Sequence, residues 1–177
     1  GESGCGKSTV ASLLMRIRKA EPGAISVDGI DINNINLRLW REWITIVPQN
    51  PSLLSGTIIS NIAPGEEEPD TDSILEFCRE LGLLDFIRKL PSGFDTVLGE
   101  DGSRLSRGQQ QRIAIARALY RHPRILILDE VTSSCDSESG SLIKRAILRE
   151  KEKGCMIMLI SHNKEELELA DDIVKIR

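Results

Sequence analysis

The chain opens on Gly1-Glu2-Ser3-Gly4-Cys5-Gly6-Lys7-Ser8-Thr9, which satisfies G-x-x-x-x-G-K-[ST], a phosphate-binding loop running into a helix. No other stretch restricts the fold as much. Its glycines let backbone N–H groups turn inward around an anion, and the helix that follows adds its positive end. Lys7 is placed to reach the outer phosphates and the Ser8 hydroxyl to join a Mg²⁺ shell, with Thr9 a less specific phosphate neighbour. Val10, Leu13, Leu14 and Ile17 recur at helical spacing, so the required helix is present. Such a loop is expected after a buried strand, with an upstream aromatic to stack on the base. The first residue is already the first glycine, and the chain reads as a piece of a longer protein.

With 177 residues, 40% hydrophobic and 28% charged, the chain can support one substantial core with a subdomain rather than two ordinary domains. A net charge of −4 argues against a non-specific nucleic-acid binder. Cys5, Cys78, Cys135 and Cys155 lack paired metal-ligand spacing and read as free thiols. No apolar run reaches membrane-span length.

In chain order, the first helix is expected to stop before Glu21-Pro22-Gly23, and Ala24 to Ile32 to form a hairpin turning at Asp28-Gly29. Residues 37–42 read as a short helix and Trp43 to Val47 as a strand. Gln49 follows that strand, where α/β folds place ligand groups. It can orient water, share a metal through its amide oxygen, or be an exposed polar loop residue. Leu53, Leu54, Ile58, Ile59 and Ile62 either pack internally or form a docking surface. Asp72 is expected to cap a helix carrying Ile74, Leu75, Cys78 and Leu81, which Gly82 breaks. Another short helix is expected from Leu83 to Leu90, so the middle of the chain reads as a mostly helical insert.

Ser106 precedes the next helix, with Gln109 three residues later; a capping box and an anion site both fit. Ile125-Leu126-Ile127-Leu128 then reads as a strand buried on both faces, ending in Asp129 and Glu130. Asp129 suits a Mg²⁺ shell and Glu130 suits orienting or activating water. Asp136 can cap a helix or contact another nucleotide-binding subunit. Met156 to Ile160 is a further buried strand, and His162 after it can bond the terminal phosphate, help hold Glu130, or make a structural hydrogen bond. Glu165 to Glu168 reads as an exposed helix, and Ile173 to Ile176 as an edge strand.

Taken together and in this order, the motifs resemble the nucleotide-binding domain of an ATP-binding-cassette transporter over nearly the whole chain. Gly1 to Thr9 matches its Walker A loop, Gln49 its glutamine loop, Leu105-Ser106-Arg107-Gly108-Gln109 its signature, and Ile125 to Glu130 its Walker B strand. Ser134-Cys135-Asp136 falls at the aspartate loop and His162 at the switch histidine. Arg107 replaces the signature's usual first glycine, and Cys135 departs from the usual alanine-or-leucine neighbourhood before Asp136.

The resemblance implies an α/β P-loop NTPase fold: a RecA-like core in residues 1–52 and 121–177, interrupted by a helical subdomain and signature helix in 53–120. It implies ATP held with Mg²⁺ by Gly1, Ser3, Gly4, Cys5, Gly6, Lys7, Ser8 and Thr9. Lys7, Gln49, Glu130 and His162 would serve catalysis; Ser8, Gln49 and Asp129 would serve the metal. Ser106, Gly108, Gln109 and Asp136 would face the ATP held mainly by a second nucleotide-binding domain, arranged head to tail.

Thr96 to Gly102, Gln49-Asn50-Pro51 and Leu54 to Ile62 look like the exporter branch. There the region after Gln49 contacts transmembrane domains, at the cytoplasmic face of a membrane, and the segment around Glu100 communicates across the interface. Three other readings remain: a chromosome-maintenance ATPase, which would need a long coiled coil between its nucleotide motifs; a translation-associated cassette protein; and a non-catalytic nucleotide sensor. Replacing Lys7 by alanine is expected to impair nucleotide binding, and an unaltered affinity in a nucleotide titration would count against its phosphate contact.

Overall fold

The computed structural model describes residues 6–99, 102, 105–133 and 135–175. The expectations that fall on Gly1, Ser3, Gly4, Cys5, Glu100, Asp101, Ser134 and Ile176 lie outside them.

The fold is built on a three-stranded parallel sheet of β3 (Ile44–Val47), β6 (Ile125–Asp129) and β7 (Met156–Ile160), in the order β3-β6-β7. Ile44 pairs with Ile125 and Ile125 with Met156, so the register carries all three strands to one C-terminal edge. The apolar run of β6 faces both ways. Leu126 and Leu128 enter one hydrophobic cluster with Ile113, Ile143 and Ile74, whereas Ile127 enters a second with Ala11, Trp40 and Ile160. A strand covered on both sides needs no polar alternation, and none is present. This is a mixed α/β core with an inserted helical subdomain, as expected.

From Gly6 the chain enters α1 (Lys7–Leu14), which is shorter than expected. It ends seven residues before Pro22's neighbour Glu21 because tertiary bonds capture its last turn. Arg16 takes a left-handed φ of 51°, its guanidinium donates to the Ile35 carbonyl at 2.6 Å, and the Trp40 indole donates to the Leu14 carbonyl at 2.7 Å. A hairpin follows, β1 (Ser26–Val27) with β2 (Ile30–Asp31). Asp28 and Gly29 both have positive φ, the geometry that a two-residue hairpin turn requires. The helix α2 spans Leu37–Trp43, capped by the Asn36 side chain, so Trp43 is helical rather than the first residue of β3.

Between β3 and β6 lies the helical insert: α3 (Ile58–Ile62), α4 (Thr71–Glu80), α5 (Leu84–Arg88) and α6 (Arg107–Tyr120). A short antiparallel pair, β4 (Gly56–Thr57) with β5 (Val97–Leu98), closes its flank. Asp70, not Asp72, caps α4. Its Oδ1 accepts from the backbone N–H groups of Asp72 and Ser73, and Asp72 sits within the first turn. The helix α3, α4 and strand β3 all pack on α6. Beyond β6, α7 (Ser137–Glu152) covers the sheet, and its Arg149 pairs with Glu76 at 2.6 Å and with Glu80 of α4.

Two expectations near the C-terminus are corrected. The helix α8 (Lys164–Leu167) forms, but Glu166 on it is buried, 3% exposed. Residues Ile173 to Lys175 form no strand, and Val174 is 86% exposed.

Gly82 ends α4 at a φ of +63°, where a Cβ would lie 2.6 Å from Leu142 Cδ1 and 3.4 Å from Arg112 Nη1. Gly82→Ala is therefore expected to destabilise the fold by about 1–3 kcal/mol. An unchanged midpoint in chemical denaturation would contradict this.

Candidate functional site

The parallel register delivers Gln49, Asp129, Glu130 and His162 to the same edge of the sheet, the edge where open α/β folds bind ligands. Glu130 is the hub. Its Oε2 accepts a hydrogen bond from Gln49 Nε2 at 2.7 Å, and its Oε1 lies 3.1 Å from His162 Nδ1. The Glu130 side chain is 18% exposed, while that of His162 is 71% exposed. One carboxylate is thus held from two strands that flank its own.

The backbone at Glu130 is unusual. Its φ is +49°, its N–H donates to the Ile160 carbonyl at 2.9 Å, and its carbonyl accepts from the Ser133 hydroxyl at 2.7 Å. A non-glycine residue in this region is costly and persists where surrounding bonds over-determine it. Here they turn the chain sharply out of β6 as soon as the strand has paired.

Asp129, the preceding residue, has its carboxyl pushed above the ordinary carboxylate range. Burial is the main cause and the negative charge of Glu130 the second, with Lys7 pulling the other way. Lys7 therefore lies within electrostatic reach of the acidic pair. Gly6, at φ +99°, caps α1, and its carbonyl accepts from the N–H groups of Thr9 and Val10, so Lys7 and Ser8 open the helix. Hydroxyl, carboxylate and amide oxygens are the hard donors that Mg²⁺ takes, and a buried carboxylate that resists ionisation gains from a divalent cation beside it. The residues Ser8, Asp129 and Gln49 fit that ion on chemistry.

A second group stands apart, with its hydrogen bonds confined to helix ends. Ser106 and Gln109 form the expected capping box: Ser106 Oγ accepts from the Gln109 N–H at 3.2 Å, and Gln109 Oε1 accepts from the Ser106 N–H at 2.9 Å. Arg107 occupies the first helical position, exposed, and leaves this box intact. The Gly108 carbonyl accepts from Arg112 Nε at 3.3 Å. Asp136 caps α7, accepting from the Ser139 N–H and hydroxyl, both at 2.9 Å; the backbone N–H is the chief cause that lowers its pKa.

Sequence reading missed Glu166. The Thr132 hydroxyl donates to Glu166 Oε1, which ties the loop after Glu130 to α8, just beyond His162. A glutamate-rich run gives no sign that one member points inward. Of the apolar residues after Gln49, Leu53, Ile58 and Ile62 are buried, and Leu54 is 49% exposed.

A family model described as ABC transporter matches residues 1–133. The chain belongs to the ABC transporter family. It is 42% identical over 174 residues to multidrug resistance protein pgp-1 of Caenorhabditis elegans, a match covering 98% of this chain and 13% of that protein. Against the ATP-dependent lipid A-core flippase of Saccharophagus degradans it is 47% identical over 174 residues, covering 98% and 30%. A bacterial Atm1-family ABC exporter with ATP bound superposes with a TM-score of 0.86 at 36% identity, over 94% of this chain and 29% of that one. The chain thus spans between an eighth and a third of these relatives. Over this span it is similar to the nucleotide-binding domains of exporter-type members of that family. Among the described residues no helix is long and apolar enough to cross a membrane.

Cys78, Cys135 and Cys155 are free thiols. Burial pushes Cys78 up to about 12 and Cys155 up to about 11, and raises Cys135 as well. At pH 8, below these values, the thiols stay protonated. Native Cys78 is expected to react with iodoacetamide about a thousandfold more slowly than in the unfolded chain. Equal rates, read by mass spectrometry, would contradict its burial.

Proposed function

We propose that this domain binds ATP with Mg²⁺ at the edge defined by Lys7, Asp129 and Glu130, and that hydrolysis there drives export through attached transmembrane domains. The convergence of Gln49 and His162 on the Glu130 carboxylate supports this reading most directly. Residues 1–52 and 121–177 are read as the two parts of the ATP-binding core, and 53–120 as the helical subdomain with the signature helix.

When bound, Mg²⁺ neutralises phosphate charge and orients the outer phosphates. Gly1, Ser3, Gly4, Cys5, Gly6 and Thr9 supply backbone and hydroxyl donors to the phosphate chain, and Lys7 places its ammonium against the terminal phosphates. Glu130 accepts a proton from the attacking water as its oxygen bonds to the terminal phosphorus and the bond to ADP breaks. Gln49 holds one oxygen of that carboxylate. His162 sits at the other, with a ring exposed enough to reach the terminal phosphate as well.

Ser106, Gly108, Gln109 and Asp136 face the ATP of a second nucleotide-binding domain, arranged head to tail. The N-terminus of α6 carries the positive end of a fourteen-residue helix toward that nucleotide. ATP closes the pair because each nucleotide is bound from both sides, and hydrolysis lets it reopen. The segment after Gln49, from Pro51 to Ile62, docks the transmembrane domains at the cytoplasmic face of the membrane.

Glu130→Gln keeps the shape of the side chain and removes the base. In the full-length protein, ATP turnover is expected to fall by about 10²–10⁴-fold while ATP-dependent association of the nucleotide domains is retained. Unchanged turnover would sink the role assigned to Glu130.

A further inference from the structure

Asn61 is fully buried, and every hydrogen-bonding position of its amide is used. Its Oδ1 accepts from the Leu54 N–H at 2.8 Å and from Arg117 Nη2 at 2.7 Å; its Nδ2 donates to the carbonyls of Leu54 at 2.9 Å and Thr57 at 3.0 Å. The segment from Leu54 to Asn61 is therefore wound around one side chain. Arg117 on α6 then grips the wound segment from outside. Its Nε donates to the Asn61 carbonyl at 2.6 Å and its Nη1 to the Ser52 carbonyl at 3.1 Å. Six residues earlier on the same helix, buried Gln111 reaches the Pro48 carbonyl, next to Gln49, at 3.4 Å.

The planar guanidinium makes this joint stiff. Three N–H groups in fixed relation meet three oxygens, and two of those belong to the residue that organises the segment. A part-buried cation with partners in one direction only also resists slippage, because breaking one contact leaves a desolvated donor. From Ser106 to Arg117 the helix runs about 16 Å at 1.5 Å per residue. Its two ends carry different duties in the reading above: the capped N-terminus faces a partner's nucleotide, and the gripped segment faces the transmembrane domains.

We propose that Arg117 and Asn61 form a rigid joint that makes the signature end of α6 and the docking segment 52–61 move as one body. Arg117 is thereby a positioning residue for coupling, not for the chemistry at Glu130. The proposal rests on the nucleotide and docking roles given under the proposed function. It assigns to one buried and one part-buried polar residue a mechanical task that the hydrophobic contacts of α3 with α6 cannot perform alone, since apolar surfaces slide where hydrogen bonds hold register.

Hydrogen exchange by mass spectrometry on the full-length protein tests it, with Mg²⁺ and the non-hydrolysable analogue AMP-PNP as the probe. In the parent, peptides covering 6–14, 105–112 and 52–61 are all expected to change protection together. In Arg117→Lys, which keeps the charge and loses the fork, 6–14 and 105–112 still respond. There, 52–61 loses its response, and the Leu54 amide exchanges about tenfold faster, the cost of roughly one hydrogen bond.

A variant that exchanges faster at 52–61 yet keeps the nucleotide response shows a mere brace and overturns the joint. Should Arg117→Lys not fold, Asn61→Asp serves the same reading: it keeps the shape, the Arg117 contact and the bond accepted from the Leu54 N–H, but loses the two bonds that Nδ2 donates to the Leu54 and Thr57 carbonyls. The parent alone is also decisive. A response at 6–14 and 105–112 without one at 52–61 overturns the joint and spares the nucleotide site, whereas no response at 6–14 overturns the nucleotide reading and the joint with it.

Discussion

The parallel pairing of β6 between β3 and β7 is the constraint on which the rest depends. A strand of Ile, Leu, Ile and Leu hydrogen-bonded on both sides must also be covered on both faces, and two hydrophobic clusters meet that need from opposite sides. Parallel strands all point the same way, so whatever follows each of them is gathered at one edge. Residues separated by 81 and 32 positions in the sequence, Gln49 and His162, reach the two oxygens of one carboxylate for this reason. A shift of one residue in register would turn Asp129 away from its pairing with Ile160 and send every side chain of β6 to the opposite face.

The same pairing creates an electrostatic problem at that edge. Asp129 and Glu130 are adjacent, and Asp129 is partly withdrawn from water, so its ionised form is disfavoured by burial and by its neighbour. Lys7 offsets part of this, and Gln49 and His162 take up the oxygens of Glu130. The left-handed turn at Glu130 separates the paths of the two residues as the chain leaves the strand. Among the described residues the site combines the Asp129–Glu130 pair, the Lys7 ammonium and hard oxygen donors, a set that suits the cation and polyphosphate of the proposed function together.

How much of this was legible in the sequence follows from the range of the interactions. The hairpin at Asp28-Gly29, the capping box at Ser106 and the cap at Asp136 are set by neighbours a few residues apart, and each was readable. The strands β6 and β7 were readable because uninterrupted apolar runs of that length have few other uses. The end of α1 was not, because Arg16, Trp40 and Ile35 settle it through contacts across tens of residues. Nor was the inward turn of Glu166, whose partner Thr132 lies 34 residues away and which sits in a run with Glu165 and Glu168. Choosing Asp70 over Asp72 as the cap of α4 was a matter of two positions, and the Tyr120 hydroxyl, which accepts from the Asp70 N–H at 2.9 Å, holds the chain where Asp70 must cap.

Buried polar side chains are the part of such a domain that periodicity cannot reveal. Asn61, Gln111 and Glu166 interrupt no pattern that would mark them, yet each bonds two segments that are distant in sequence. An apolar residue at any of these positions would preserve packing and lose register. If the parts of the domain shift relative to one another, as proposed above, register matters as much as cohesion. Hydrophobic contact between α3, α4 and α6 holds the insert together, and the directional bonds at Asn61, Arg117 and Gln111 fix its register against the segment that follows β3.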